Sequence, residues 1–212
     1  MSKQILKIHI FGQSGSGKGT QKDLLAKVID LPSVSMGELL RATAKLPGAK
    51  GSQMKETLDK GHHVDNSITN ELFLEWQKKN GDHGYIIEGY PRNREQFDFF
   101  EEHDHLTHAI FLNISDKEVM ERITGRRICP CGGTYHMKYN PPKHNETCDD
   151  CGEKLSVRSD NTPEATTERI RLYHEKMEPL IEEYSQQGIL HKINGEQSIE
   201  QVHQDILKIF KE

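Results

Sequence analysis

Nine residues near the start of the chain, Gly12-Gln13-Ser14-Gly15-Ser16-Gly17-Lys18-Gly19-Thr20, set three glycines ahead of a lysine and a hydroxyl. Glycine lets a backbone turn tightly enough to aim its N–H groups at one point, and such a nest attracts anions. The apolar run Ile5-Leu6-Lys7-Ile8-His9-Ile10-Phe11 ahead of it reads as a strand, and residues 20–28 read as the first turns of a helix. A helix N-terminus favours negative charge. Strand, glycine loop, lysine and helix in that order form a phosphate cradle. Gly19 pushes the hydroxyl one place on, to Thr20, a departure from the general pattern that leaves open how Mg²⁺ is held.

A phosphate cradle serves ATPases, GTPases, motors and small-molecule kinases alike. The chain has no Asn/Thr-Lys-x-Asp stretch with which GTP switches read their base. It has instead single arginines at turns and segment edges: Arg41, Arg92, Arg122, Arg126, Arg158 and Arg169. Phosphoryl transfer spreads negative charge over the moving group and needs fixed cations around it. An acceptor that is itself a phosphate is already anionic, so no strong general base is required. Arginines on mobile segments would close over both substrates and exclude water. A nucleotide sensor without turnover and an inert domain carrying a zinc module are the competing readings from other classes.

All four cysteines lie in one short region, as Cys129-Pro130-Cys131 and Cys148-Asp149-Asp150-Cys151. Two pairs on tight turns suit a tetrahedral four-sulfur zinc site better than disulfides. The first pair is one residue short, which leaves open a distorted turn or replacement of a thiolate by His136 or His144. Four protein ligands leave no open position for water, so the metal is structural rather than catalytic.

These groups need a scaffold. Residues 84–92 read as a second strand entering a turn, with Ile86 and Ile87 adjacent and so buried on both faces, and Glu88 at its carboxyl end. Residues 108–112 and 189–193 read as further strands. Helices are expected over 38–44 with Ser35 as cap, over 46–61 interrupted at Pro47-Gly48, over 67–79, 93–101 and 199–210, and after Ser115. Another spans 163–187 and bends at Pro179. Trp76 is expected in core or edge packing. Residues 127–161 have too few large apolar groups for a core and need a staple. The alternation implies an α/β fold with a mostly parallel sheet covered on both sides. The 212 residues, 33% hydrophobic and 29% charged, suit a soluble chain, and the net charge of −5 gives no nucleic-acid surface. With no bilayer-length apolar run and no secretory pattern, a cytoplasmic protein with no membrane contact is expected.

Over nearly its whole length the chain resembles adenylate kinase, in the long bacterial form with a zinc-carrying lid. The resemblance rests on the glycine loop with its Gly19-Thr20-Gln21 tail, on Ser35-Met36-Gly37-Glu38-Leu39-Leu40-Arg41, on Gly89-Tyr90-Pro91-Arg92, and on the cysteine pairs. It implies a P-loop nucleoside monophosphate kinase: a central parallel five-stranded sheet flanked by helices, with two inserted mobile domains. The implied CORE is 1–34, 65–125 and 163–212, with an AMP-binding domain at 35–64 and a zinc lid at 126–162. The implied reaction is ATP + AMP ⇌ 2 ADP with Mg²⁺, in a monomer. Gly12, Ser14, Gly15, Ser16, Gly17, Lys18, Gly19, Thr20, Arg122, Arg126 and Tyr135 would hold ATP. Ser35, Met36, Arg41, Val64, Gly89, Arg92, Gln96, Arg158 and Arg169 would hold AMP, Arg41 and Arg92 at its phosphate and Gln96 at the adenine edge. Lys18, Arg41, Arg92, Arg126, Arg158 and Arg169 would carry catalysis, and Cys129, Cys131, Cys148 and Cys151 the structural Zn²⁺.

The chain departs from the family at Met36, where threonine is usual near the AMP base, and at Glu88, where aspartate is usual near the magnesium waters. Asn161 replaces an aspartate at the lid return, and the Cys129–Cys131 knuckle is shortened. A kinase of UMP or CMP is the neighbouring alternative.

Overall fold

The structure, a computed structural model, describes residues 5–210. In chain order the strands of its main sheet are β1 (Leu6–Phe11), β2 (Ser33–Ser35), β3 (Gly84–Glu88), β4 (His108–Asn113) and, near the end, a strand at Leu190–Asn194. The short strands β5 (Arg126–Ile128) and β6 (Thr134–His136) lie in the insertion, so the last strand is β7. The sheet runs β2-β3-β1-β4-β7, and every pair is parallel.

Side chains alternate across a strand, which is why neighbouring apolar residues serve two separate cores. Ile87 and Tyr85 face one layer with Phe11, Phe111, Phe73 and Tyr184. Ile86 faces the other with Ile8, Ile10, Ile110 and Leu112. The first layer is covered by α4 (Asn66–Asn80), α5 (Arg94–His103) and α8 (Pro179–Gln186), the second by α1 (Lys18–Ile29) and α9 (Ile199–Lys208). The sheet is as expected: five strands, parallel, helices on both faces. Trp76 packs edge-on against Tyr85 with centroids 6.1 Å apart, partly buried at the rim of the first layer.

Three local expectations are corrected. Ser33-Val34-Ser35, for which only Ser35 as a helix cap was expected, forms edge strand β2, its register set by Val34 opposite Ile87. Ser35 starts α2 (Met36–Ala44) without a side-chain cap, because its hydroxyl donates to the Glu88 carboxylate instead. Pro47-Gly48 separates α2 from α3 (Ala49–Asp59) rather than interrupting one helix. The helix after Thr162 is α7 (Pro163–Leu172), and it passes into α8 through a π-helical turn at Tyr173–Met177, with Glu178 N–H bonded to Tyr173 C=O at 2.9 Å. Pro179 has no N–H to give, and it stands at the first position of α8, where none is needed.

Between α6 (Asp116–Gly125), which Ser115 caps, and α7 lies the cysteine-bearing insertion. It holds the antiparallel pair β5–β6 and a buried cluster of Cys129, Tyr135, Cys148 and Leu155. No helix is long and apolar enough to cross a membrane among the described residues.

Candidate active site

The parallel strands β1 and β3 both end at one cleft of about 810 Å³, at the carboxyl edge of the sheet where the strand order reverses. The glycine loop forms its floor. Gly12, Gly15 and Gly17 all have positive φ, and a Cβ on Gly12 would strike the Leu112 carbonyl, so this backbone path is open to glycine alone. Helix α1 begins at Lys18, directly after the loop. Lys18 is buried; its Nζ donates to the Gln13 carbonyl at 2.7 Å and lies 3.9 Å from Glu88 Oε1. Burial pulls the lysine down to about 8, against the opposing pull of Glu88. Glu88 is itself buried, but Lys18, Arg92 and the Ser35 hydroxyl hold its carboxyl below the usual range.

Arginines from four separate elements line the same cleft. Arg41 comes from α2, Arg92 from the turn after β3, Arg126 from the start of β5, and Arg169 from α7. Arg158, from the loop that leads out of the insertion toward α7, joins them. Arg92 is held by its own Nε donating to Gly89 C=O at 2.5 Å. Besides Glu88, a second buried acid, Asp160, meets this charge: Arg169 Nη2 approaches it to 2.5 Å and Arg158 Nε to 3.1 Å. Burial raises the Asp160 carboxyl, but Arg158, Arg169, Arg41 and Arg126 together hold it low. Burial and mutual repulsion lower Arg126 to about 9 and Arg41 to about 10. Arg126 Nη2 reaches Asn161 Oδ1 at 2.6 Å, while its buried Nε has no protein partner. Cations left short of counter-charge, with a donor unused, are the complement of a polyphosphate.

Most residues singled out in the sequence line this cleft: Gly12, Ser14 through Thr20, Ser35, Arg41, Gly89, Arg92, Arg122, Arg126, Tyr135, Arg158 and Arg169. Three do not. Met36 is fully buried in the first core layer, Val64 packs with Leu40, Ala44 and Met54, and Gln96 is buried beneath the Arg92 turn. Gln96 accepts from Arg92 N–H at 2.8 Å and donates to Asn66 Oδ1 at 2.8 Å, so both ends of its amide are engaged. Tyr135 borders the cleft, yet its hydroxyl faces Cys148 Sγ at 3.5 Å and accepts from Asp149 N–H at 2.8 Å. Asp160, which with Arg158 and Arg169 matches the returning lid hinge of the resembled family, carries no expected binding or catalytic role; the structure sets it among the arginines. His62 and His63 also line the cleft unforeseen, and burial lowers His63 to about 4, leaving it neutral near pH 7.

The four cysteine sulfurs lie within 4.8 Å of one another, Cys129 to Cys151 at 3.3 Å and Cys131 to Cys148 at 3.6 Å. Sulfurs about 2.3 Å from a tetrahedral zinc stand roughly 3.8 Å apart, and a disulfide needs about 2.05 Å. All four thiols are free and could hold a metal together. The shortened knuckle reaches the cluster because Gly132, at φ 101°, closes the turn, with Cys129 N–H bonded to Gly133 C=O at 2.9 Å. Neither alternative histidine belongs to the cluster; His136 Nδ1 accepts from the Lys138 and Tyr139 N–H groups.

A glycine loop ahead of α1, a reversed strand order at the cleft and arginines drawn from α2, the turn after β3, the cysteine-bearing insertion and α7 define a P-loop nucleoside monophosphate kinase. Residues 10–189 match the family model for adenylate kinase. The chain is 39% identical over 210 residues to an adenylate kinase of Caldanaerobacter subterraneus subsp. tengcongensis, covering 96% of this chain and 95% of the relative. It is 37% identical over 211 residues to one from Thermoanaerobacter sp. strain X514, covering 96% and 97%. It is 38% identical over 205 residues to one from Desulfitobacterium hafniense, covering 93% and 94%. The chain belongs to the adenylate kinase family and is an enzyme, a phosphotransferase.

Proposed function

We propose that the protein catalyses Mg²⁺-dependent reversible phosphoryl transfer, ATP + AMP ⇌ 2 ADP. The observation that carries this reading is the convergence of Lys18, Arg41, Arg92, Arg126, Arg158 and Arg169 on one cleft, where the buried acids Glu88 and Asp160 balance only part of their charge. An AMP phosphate oxygen attacks the γ-phosphorus of ATP, the bond to the β–γ bridging oxygen breaks, and ADP leaves. No proton has to be removed, so no base is assigned. The loop from Gly12 to Thr20, with Arg122 and Arg126, holds the ATP phosphates. Arg41 and Arg92 hold the acceptor phosphate, and Arg158 and Arg169 meet the charge that develops between the two.

Glu88 and the Thr20 hydroxyl are hard oxygen donors beside the loop and suit Mg²⁺, which would neutralise charge on the ATP phosphates. The cysteine cluster would hold Zn²⁺ and staple residues 126–162, which act as a lid over the cleft. Residues 35–64 act as the AMP-binding domain, and the remainder is the CORE. The enzyme works as a monomer on free nucleotides in the cytoplasm.

Lys18→Ala tests the reading. Removing one preorganised cation from a phosphoryl-transfer site costs about 10²–10³-fold in kcat. ADP formation from ATP, AMP and Mg²⁺ in a coupled assay should fall by that factor. Saturable ATP binding with no turnover in the parent would instead mark a sensor. The same assay across AMP, CMP, UMP and GMP reads the acceptor base, and faster turnover of UMP or CMP than AMP would overturn the choice.

A further inference from the structure

Gln13 stands among the loop glycines, and its side chain makes contacts no phosphate requires. It is buried, and it borders both the nucleotide cleft and a smaller cavity of about 480 Å³ behind the loop. Its Nε2 donates to Asp116 Oδ1 at 2.8 Å and lies 3.3 Å from the Ile114 carbonyl. Both partners are acceptors, which fixes the orientation of the amide. The backbone carbonyl of the same residue receives Lys18 Nζ at 2.7 Å. One residue therefore holds the lysine at one end and is anchored to the turn between β4 and α6 at the other.

The anchor is itself held from outside. His174, in the π-helical turn, faces both oxygens of Asp116 with Nε2, at 3.0 and 3.1 Å, and Glu178 Oε2 with Nδ1, at 2.9 Å. Glu182 and Lys192 complete the charged wall of that cavity, and the Tyr173 ring lies edge-on to the imidazole.

We propose that Gln13 is a positioning residue for Lys18, locked by Asp116, and that His174 behind the loop sets how firmly Asp116 holds it. The proposal rests on the phosphoryl-transfer reading above. A lysine that must meet a moving phosphoryl gains from a fixed carbonyl, since small misplacements near a reacting centre cost large factors in rate. Protonated His174 donates from both nitrogens, whereas the neutral ring has one N–H and cannot serve two carboxylates. Its two carboxylate partners hold the proton above the ordinary histidine value. The lock is firm below that titration and loosens as pH rises through it.

The test uses Gln13→Leu, Asp116→Ala, the double variant, Asp116→Asn and His174→Gln in the full chain. Gln13→Leu and Asp116→Ala should each lower kcat about 10-fold with KM for either nucleotide within about 2-fold, the signature of lost transition-state positioning. The double variant should be no worse than either single one, and Asp116→Asn, which keeps an accepting oxygen, should recover part of the loss. The parent-to-His174→Gln ratio of kcat should be about 2–3 near pH 6 and approach 1 near pH 9, the size expected of an exposed charged pair. The ¹⁵Nζ resonance of Lys18, recorded without nucleotide, reads the coupling apart from turnover and should shift in both single variants. Additive losses, a raised KM at parental kcat, or an unmoved Lys18 signal would overturn the proposal. A parent inactive on ATP and AMP whose Lys18 signal still shifts would overturn the functional reading alone.

Discussion

The sheet and the cysteine-bearing insertion are held together by different physics. In the sheet, Ile8, Ile10, Ile86, Ile87, Ile110 and Leu112 are all fully buried and packed between helices. In the insertion the buried cluster is two cysteines, Tyr135 and Leu155, and the backbone crosses it through short bridges such as Ile128 to Ser156. The first region is stabilised by apolar area removed from water. The second has too little such area, and four converging sulfurs take its place. Stability should therefore be sensitive to volume in the sheet and, with zinc bound as proposed, to coordination in the insertion.

The comparison predicts a graded series. Ile86→Ala, in the centre of the sheet, should cost about 2–5 kcal/mol in urea unfolding, while metal content of the insertion stays at parental level; loss of metal in that variant would break the separation. Chelation or Cys148→Ser should lower Tm by roughly 5–10 °C, as about 2–3 kcal/mol does in a chain of this size, with kcat on folded protein changed less than about 3-fold. An unchanged Tm after verified metal loss would show the insertion standing on its own core. Asp160, where the two regions meet, should respond to acid. Its carboxyl is held below 3.8 in the fold. The stability it contributes is thus complete above that value and lost as pH falls through the lower folded one. The urea midpoints of the parent and Asp160→Asn should differ by a constant amount above about pH 5 and converge below about pH 4. Smallest of all, Ser159→Ala removes an exposed hydrogen bond of 2.7 Å to Asp59 in α3. It should change stability by no more than about 0.5 kcal/mol.

What the sequence made readable follows the same divide. The glycine loop, the strand pairs and the cysteine cluster are local patterns, and each is found where its residues place it. Edge strand β2 was not readable, because three residues give no periodicity and only pairing with β3 defines them. Met36 gave no sign that it would be enclosed in the first core layer rather than turned to the cleft, since its burial is set by Phe73, Tyr90 and their neighbours from distant segments. The central place of Asp160 arises from arginines more than a hundred positions apart in the chain, a convergence that no window of sequence displays.

The π-helical turn carries a last consequence. Each residue of an α-helix advances the direction of its side chain by about 100°, so one widened turn re-phases everything after it. Upstream, Arg169 looks onto the nucleotide cleft; downstream, Leu180 and Tyr184 lie in the apolar layer under the sheet, Tyr184 hydroxyl against His9 Nδ1 at 3.0 Å. Tyr173 and Met177, inside the widened turn, belong to both the cleft wall and the apolar layer, so the rod passes from one to the other without a break. Deleting one residue from Tyr173–Met177 would narrow the turn to an ordinary α-helical one, with the segments on either side still joined in one rod.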